Sequence, residues 1–487
     1  MNGKGTQEHH SRTATRPAAS GRKGTQPLRW VLSLAVAGWF PAALLLTSIV
    51  LYKRLGLGND DVAYYSSWLF LPWVLAPVIE RLVPASLNSR NAIVTMEVLA
   101  SLLAIAVASS VMSEAPPATL ATLFMLSGMC GVVHNVEAAR LAKRHNAVTD
   151  TRKHVALYAV TLFVAVTTCH GLAVSFASNM EVLTRNVRHS WEFTFYILAG
   201  VMAFLAILHC ATLPPADTEQ EAADLDGAAS DIKTNTSDLK TDSYNRKNGD
   251  VPDHKTTDSL PQRLLRSMRT APAAWTTAVC TMLFLMPEGL TMPSSVLFFI
   301  DARHNGGLGL SPTEYGLAWG TIGFAAFTLC LLIGERLTSR LKPGRWMWLM
   351  ALAATLPNAS YLYLSYEMPT DMTTVSLFIL MRQAVAGFGL SLCLHGMATA
   401  NGQTMTANGQ MKPSNGQTTT ANGQVKPPKT YFRRAAIIAL PMFLGGLCSG
   451  TWQYAIGYRA FFAVAVAATV VTMAAVALKT KTFRDTL

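Results

Sequence analysis

Runs of about twenty apolar residues, each closed by charge, Pro or Gly, recur along the whole chain. A bilayer core about 30 Å thick needs roughly 20 such residues per helix. The runs predict twelve spans near residues 29–52, 64–83, 91–112, 117–140, 154–178, 190–212, 272–300, 313–335, 345–365, 372–398, 435–455 and 457–478. The fold class expected is therefore an all-α membrane protein. A polar stretch at 213–270, rich in Asp, Thr, Ser, Asn and Lys, divides the spans six and six. Its composition cannot bury enough apolar surface to fold alone and reads as a solvated linker.

Composition agrees with the pattern. Of 487 residues, 51% are hydrophobic and only 14% charged, whereas soluble domains carry about 25% charge. The net charge of +12 invites a nucleic-acid reading until its distribution is counted. With the N-terminus inside, 33 of the 40 Lys and Arg fall in inward tails and loops, the bias that sets membrane topology. Both ends are then expected on the cytoplasmic side of an inner membrane, with no nucleic-acid partner. The seven Cys are scattered in apolar runs without a CxxC pair, which implies neither disulfides nor a metal site. The first 29 residues lack a short apolar core, so no cleaved signal peptide is expected.

The organisation expected is a basic cytoplasmic tail at 1–28, a six-helix bundle at 29–212, the linker at 213–270, a second bundle at 271–478 and a short tail at 479–487. Within the second bundle, 399–431 repeats Asn-Gly-Gln every seven residues without an apolar seam, which makes it a polar loop rather than a coiled coil. The halves echo each other. Pro41 precedes Leu55-Gly56-Leu57-Gly58 much as Pro293 precedes Leu308-Gly309-Leu310-Ser311, and spans two and eight both end in Glu-Arg-Leu. Duplicated six-helix halves are a pattern of secondary transporters, whose site lies between the repeats.

Charge within a span costs about 2.5 to 3.5 kcal/mol on insertion scales, so each such residue needs a reason. Glu288 lies in span seven and Arg382 with Gln383 in span ten. They form either a structural salt bridge or a site for substrate and proton coupling. His134, Asn135 and Glu137 make a second polar group in span four, either a cavity lining or a helix-end network; Glu97 in span three reads as snorkelling or paired. Trp39 and Pro41 in span one are candidate cavity residues, because an aromatic face stacks on a ring and Pro frees backbone groups. Glu80-Arg81 and Glu335-Arg336, where each half meets the cytoplasm, are candidate conformational latches. The chain contains no Walker A, HExxH or GxSxG motif, which argues against ATP-driven transport and common hydrolase chemistry. No catalytic residue, cofactor or metal is expected; the energy source would be a proton gradient.

These residues carry a resemblance. Leu71-Pro72-Trp73 and Ala76-Pro77-Val78-Ile79-Glu80-Arg81 look like a helix-two signature of the major facilitator superfamily, in its branch of AmpG-type muropeptide permeases and acetyl-CoA transporters. Gly306-Gly307-Leu308-Gly309-Leu310-Ser311, Glu314-Tyr315-Gly316 and Gly320-Thr321-Ile322-Gly323 match most specifically. Pro357-Asn358, Gly387-Phe388-Gly389, Ser449-Gly450 and Gly457-Tyr458 with Phe461-Phe462 continue the likeness, and Glu288 occupies the branch's helix-seven Glu. Two departures stand out: Gly38, Trp39 and Phe40 hold no acid before Pro41, and His134-Asn135-Val136-Glu137-Ala138-Ala139 lacks both helix-four aspartates of the branch.

The resemblance implies twelve helices in two pseudo-repeats, with helices one, four, seven and ten around a central cavity. It also implies proton-coupled import of a muropeptide-like or related amphipathic solute by a monomer in the lipid bilayer. The missing acids suggest an alternative, a transporter-like receptor or scaffold that no longer moves its ligand.

Overall fold

In the computed structural model the described residues are 26–84, 87–144, 151–213, 272–338, 343–400, 403–405, 411–413 and 431–485. Among them run twelve long helices. The first half holds α1 (Gln26–Arg54), α2 (Asn59–Leu82), α3 (Ser89–Met112), α4 (Pro117–Arg144), α5 (151–184) and α6 (Val187–Thr212). The second holds α7 (Pro272–Ile300), α8 (312–338), α9 (Pro343–Glu367), α10 (Met372–Ala400), α11 (431–456) and α12 (458–485). Nine helices among the described residues are long and apolar enough to cross a membrane. In lipid a helix satisfies every backbone group from within its own segment, which is why these apolar runs take this form.

Each predicted span falls on an observed helix, with ends that agree to within seven residues, the widest gap being at the end of α12. Almost all of the predicted linker, and most of the Asn-Gly-Gln loop, lie outside the described residues. Within that loop Gln403–Met405 pairs antiparallel with Met411–Pro413.

Sequence-coded caps set several boundaries. The side chains of Asn88 and Asn186 accept from the backbone of Asn91 and His189 at the starts of α3 and α6. Ser311 and Glu314 close a reciprocal capping box on α8. Asp371 caps α10, and the backbone and then the hydroxyl of Thr374 hold its carboxyl below the usual Asp range. A single residue, Gly457 (φ 74°, ψ 166°), turns α11 into α12, in backbone space that residues with a Cβ rarely enter.

The apolar residues face two ways. A continuous core runs through both halves, from Phe40, Tyr52 and Trp191 to Phe298, Tyr361 and Phe462. Leu102, Phe204, Ile207, Leu329 and Leu377 point outward and stay exposed, as surface that lies against acyl chains does. We call the face where α1 begins proximal and the one where it ends distal.

The halves meet along two seams, α2 against α11 and α5 against α8. Gly446 and Gly450 let α11 press on Ser67, Asn59 and Ala63 of α2. At the other seam α5 and α8 each contain a turn of π-helix, Thr167–Leu172 and Ala318–Gly323. There a Cβ on Gly171 would lie 2.9 Å from the Gly320 carbonyl oxygen, so backbone rests on backbone.

Candidate functional site

Three elements of the second half converge on an ion pair. Pro287 interrupts α7 one residue before Glu288, and Thr291 donates to the Pro287 carbonyl at 2.9 Å and to Asn358 Oδ1 of α9 at 3.1 Å. From α10, Arg382 Nη2 donates to Glu288 Oε1 at 2.6 Å and Nη1 to Gln383 Oε1 at 3.2 Å. Its guanidinium lies over the Tyr361 ring of α9, 5.0 Å from the centroid, a cation–π contact. Arg382 is buried, whereas the Glu288 side chain keeps 31% exposure. The pair is thus accessible from the carboxylate side.

Around it are donors without acceptors. Arg382 Nε, Gln383 Nε2 and the Tyr315 hydroxyl are buried and have no hydrogen-bond partner among the described residues. Across the α5–α8 seam, His170 is fully buried with neither ring nitrogen bonded. Its ring stands edge-on to Tyr315 and Trp319, with centroids 5.3 and 5.1 Å away. Phe299 links Tyr315 to Tyr361 at 5.8 and 5.9 Å. A buried polar atom ordinarily has a partner, and several orphans in one aromatic nest suit a ligand that brings acceptors. π-turns, too, concentrate at functional sites.

The first half contributes less charge. Asn135 Nδ2 of α4 donates to the Gly38 carbonyl of α1 at 3.1 Å, and its side chain occupies the room that a Cβ on Gly38 would need. α1 and α4 are therefore in close contact at Gly38. Pro41 seats its ring against Gly131, 2.9 Å from where a Cβ would stand. Trp39 stacks on Trp73 at 5.9 Å and meets Tyr158 edge-on at 4.9 Å.

Two sequence-predicted cavity residues turn elsewhere. His134 faces Glu97 of α3 at 2.9 Å, inside the first bundle. Glu137 accepts from Ser89 at 2.7 Å and pairs with Arg140 at 2.5 Å; Arg140 also donates to the carbonyls of Pro84, Val83 and Glu80. Glu137 thus anchors the α2–α3 turn. His134 and Glu137 share a helix face, as their spacing requires, but it is turned toward α3.

A network among the described residues ties the halves at the distal face; Glu80, Arg81, Glu335 and Arg336 sit at the proximal ends of α2 and α8. Asp301, at the end of α7, accepts from Lys53 of α1 at 2.6 Å, from Asn59 of α2 at 2.7 Å and from Tyr458 of α12 at 2.6 Å. Asn59 also donates to Gln453 Oε1 at 2.9 Å. Beside it opens a distal cleft of about 680 Å³ lined by residues of both halves, among them Arg54, Ser178, Glu181 and Glu314. The sequence offered only Asp301 at a span's end as a signal. For the aromatic nest it offered His170 as a polar break in span five.

Comparison with protein families matches residues 152–423 to the Major Facilitator Superfamily. The chain belongs to that superfamily. It is accordingly a multi-pass membrane protein of a transporter family. This superfamily member matches no curated protein at a significant level, but its structure is similar to solved transporters. The crystal structure of a point mutant of the nucleoside transporter NupG aligns with a TM-score of 0.59 and 11% identity, over 93% of this chain and 98% of that one. The xylose transporter XylE from E. coli, partially occluded and inward open, gives 0.57 and 8% identity over 91% and 97%. A bacterial homologue of the human lysosomal transporter Spinster, inward-facing and unoccupied, gives 0.56 and 12% identity over 94% and 97%. At these identities the likeness is one of fold.

Proposed function

We propose that this superfamily member is a proton-coupled secondary transporter working by alternating access, its central site built around Glu288, Arg382 and Gln383. The observation that carries the reading is the buried Arg382, paired with the half-exposed Glu288 and surrounded by donors that lack acceptors. A solute carboxylate or phosphate would satisfy those donors and compete with Glu288 for the guanidinium.

The competition supplies the coupling. In a low-dielectric site Arg382 balances one negative charge, so an anionic solute replaces Glu288 as partner when Glu288 takes up a proton. Release of the solute returns Arg382 to Glu288, which then gives its proton to the opposite side. Tyr315, Trp319 and Tyr361 wall the second-half side, and His170 meets them from α5 of the first half. Trp39, Pro41 and Asn135 wall the first-half side. By its resemblance to the muropeptide-permease branch, the cargo is a muropeptide-like, amphipathic sugar-peptide moved into the cytoplasm across the inner membrane. Both chain ends then face the cytoplasm.

The test is uptake of labelled anhydro-muropeptide by inverted and right-side-out vesicles. Uptake driven by a proton gradient should collapse with an uncoupler. The Glu288→Gln variant should still bind solute but concentrate it at least tenfold less. Binding without uptake in the unaltered protein would favour the receptor reading, and full concentrative uptake by Glu288→Gln would remove Glu288 from the coupling.

A further inference from the structure

Inside the first half, away from the Glu288–Arg382 site, three titratable side chains meet without solvent. Glu97 of α3 places one oxygen, Oε1, 2.9 Å from His134 Nε2 of α4 and 2.7 Å from His209 Nδ1 of α6. His209 Nε2 lies 2.9 Å from Ser33 Oγ of α1, and Ser33 donates to the Trp30 carbonyl at 3.1 Å. The three side chains are 1%, 3% and 0% exposed. Leu34, Ile93, Leu141 and Leu213, with Trp30 and Ala138 against them, form an apolar cluster on the proximal side.

We infer that His134, Glu97 and His209 form a proton-binding site within the first bundle. Hydrogen-bond counting carries the argument. Both imidazoles aim a nitrogen at the same carboxylate oxygen, so both nitrogens carry hydrogen. With each ring neutral, the trio holds one buried negative charge. One further proton makes the trio neutral and still leaves every contact in place. When Ser33 gives its hydrogen to Trp30, its oxygen accepts the second N–H of His209, and the added proton has a seat. Glu97 Oε2 and His134 Nδ1 are buried without partners, so the network retains proton positions that a purely structural junction would have satisfied.

The charged groups nearby on α3 and α4 have partners of their own. On α3, Arg90 donates to the Cys210 carbonyl at 2.5 Å. On α4, Glu137 is held by Arg140 and Ser89. Apart from His209, the described ionisable side chains of α1 are Tyr52, Lys53 and Arg54 at its distal end, and those of α6 are Arg188, His189, Glu192 and Tyr196 in its distal half and the exposed Cys210 beside His209. The imidazoles converge on an oxygen rather than on a shared point, and among the described residues no cluster is arranged to hold a metal. Because the trio, through Ser33, joins α1 to α3, α4 and α6, its occupancy changes the charge buried among these four helices.

The full-length protein, reconstituted in lipid nanodiscs with ring-labelled ¹⁵N-histidine, gives the test without any solute, so it stands or falls apart from the transport proposal. On pH titration the His134 and His209 resonances should change in one shared step, with a dye-monitored uptake of a single proton. Glu97→Gln should split that step. Ser33→Ala, a small change that keeps the trio intact, should move it to lower pH by about one unit, the worth of one hydrogen bond. Should the two rings titrate independently, stay fixed until the fold melts, or change only on adding Zn²⁺, the inference fails.

Discussion

Lys53 of the first half and Asp301 of the second lie 2.6 Å apart at the distal face, with the Asp301 side chain 2% exposed. Asn59 and Tyr458 hold the same carboxylate from the flanks. One buried acid thus receives donors from α1, α2 and α12, and its loss would remove three bonds at the distal face, two of them between the halves.

Asp301→Asn should loosen that closure. A cysteine placed at Ser178, on the wall of the distal cleft, should react with an impermeant maleimide several-fold faster in the Asp301→Asn background. The exposed Cys210 and Cys448 are first replaced by Ser. An unchanged labelling rate would show that the Asp301 network does not hold the cleft shut.

At the α5–α8 seam, Gly171→Leu and Gly320→Leu each drive a side chain into facing backbone. Overpacking costs about 1 to 3 kcal/mol, and backbone cannot yield as a flexible side chain does. Both variants should fall in thermal stability and lose monodispersity in detergent. Gly200→Leu, where no atom lies within 4 Å, should behave as the unaltered protein.

Removing one partner of a buried ion pair costs about 3 to 5 kcal/mol, while replacing both with apolar groups is often nearly neutral. Arg382→Met should therefore destabilise the protein more than Glu288→Met with Arg382→Met combined. A double-mutant cycle on melting temperature measures the coupling. Additive losses would mean that the two residues do not stabilise each other.

The Asp371 carboxylate, held below its ordinary value by Thr374, contributes its capping bond above the unfolded Asp value and loses it as pH falls through the lower folded value. Asp371→Ala should melt earlier than the unaltered protein at neutral pH. The difference should close in acid. A gap that persists with the carboxyl protonated would assign the loss to something other than the charged cap.

The helices were legible because lipid enforces one rule on every span, and a run of apolar residues needs no partner to obey it. Glu288 and Arg382 stood out for the converse reason. His134 shows where the reading stopped. Its spacing from Glu137 correctly put both on one face of α4, but periodicity does not say which neighbour that face meets, and Glu97 lies 37 residues away. The pairing of His170 with Tyr315 was hidden similarly, since 145 positions separate them and only the α5–α8 crossing brings their rings together. Asp301 carried no pattern at all: an acid at a span's end is ordinary until Lys53 and Tyr458 arrive beside it.

The crossing of Gly171 on Gly320 has a consequence for heat and motion. Gly171 and Gly320 have no rotamers to freeze or release, so at their point of touch a tilt of one half upon the other draws its entropy change from the flanking Thr321, His170 and Tyr315 side chains. Those side chains, and whatever fills the middle of the molecule beside them, then set how the balance between shapes responds to temperature.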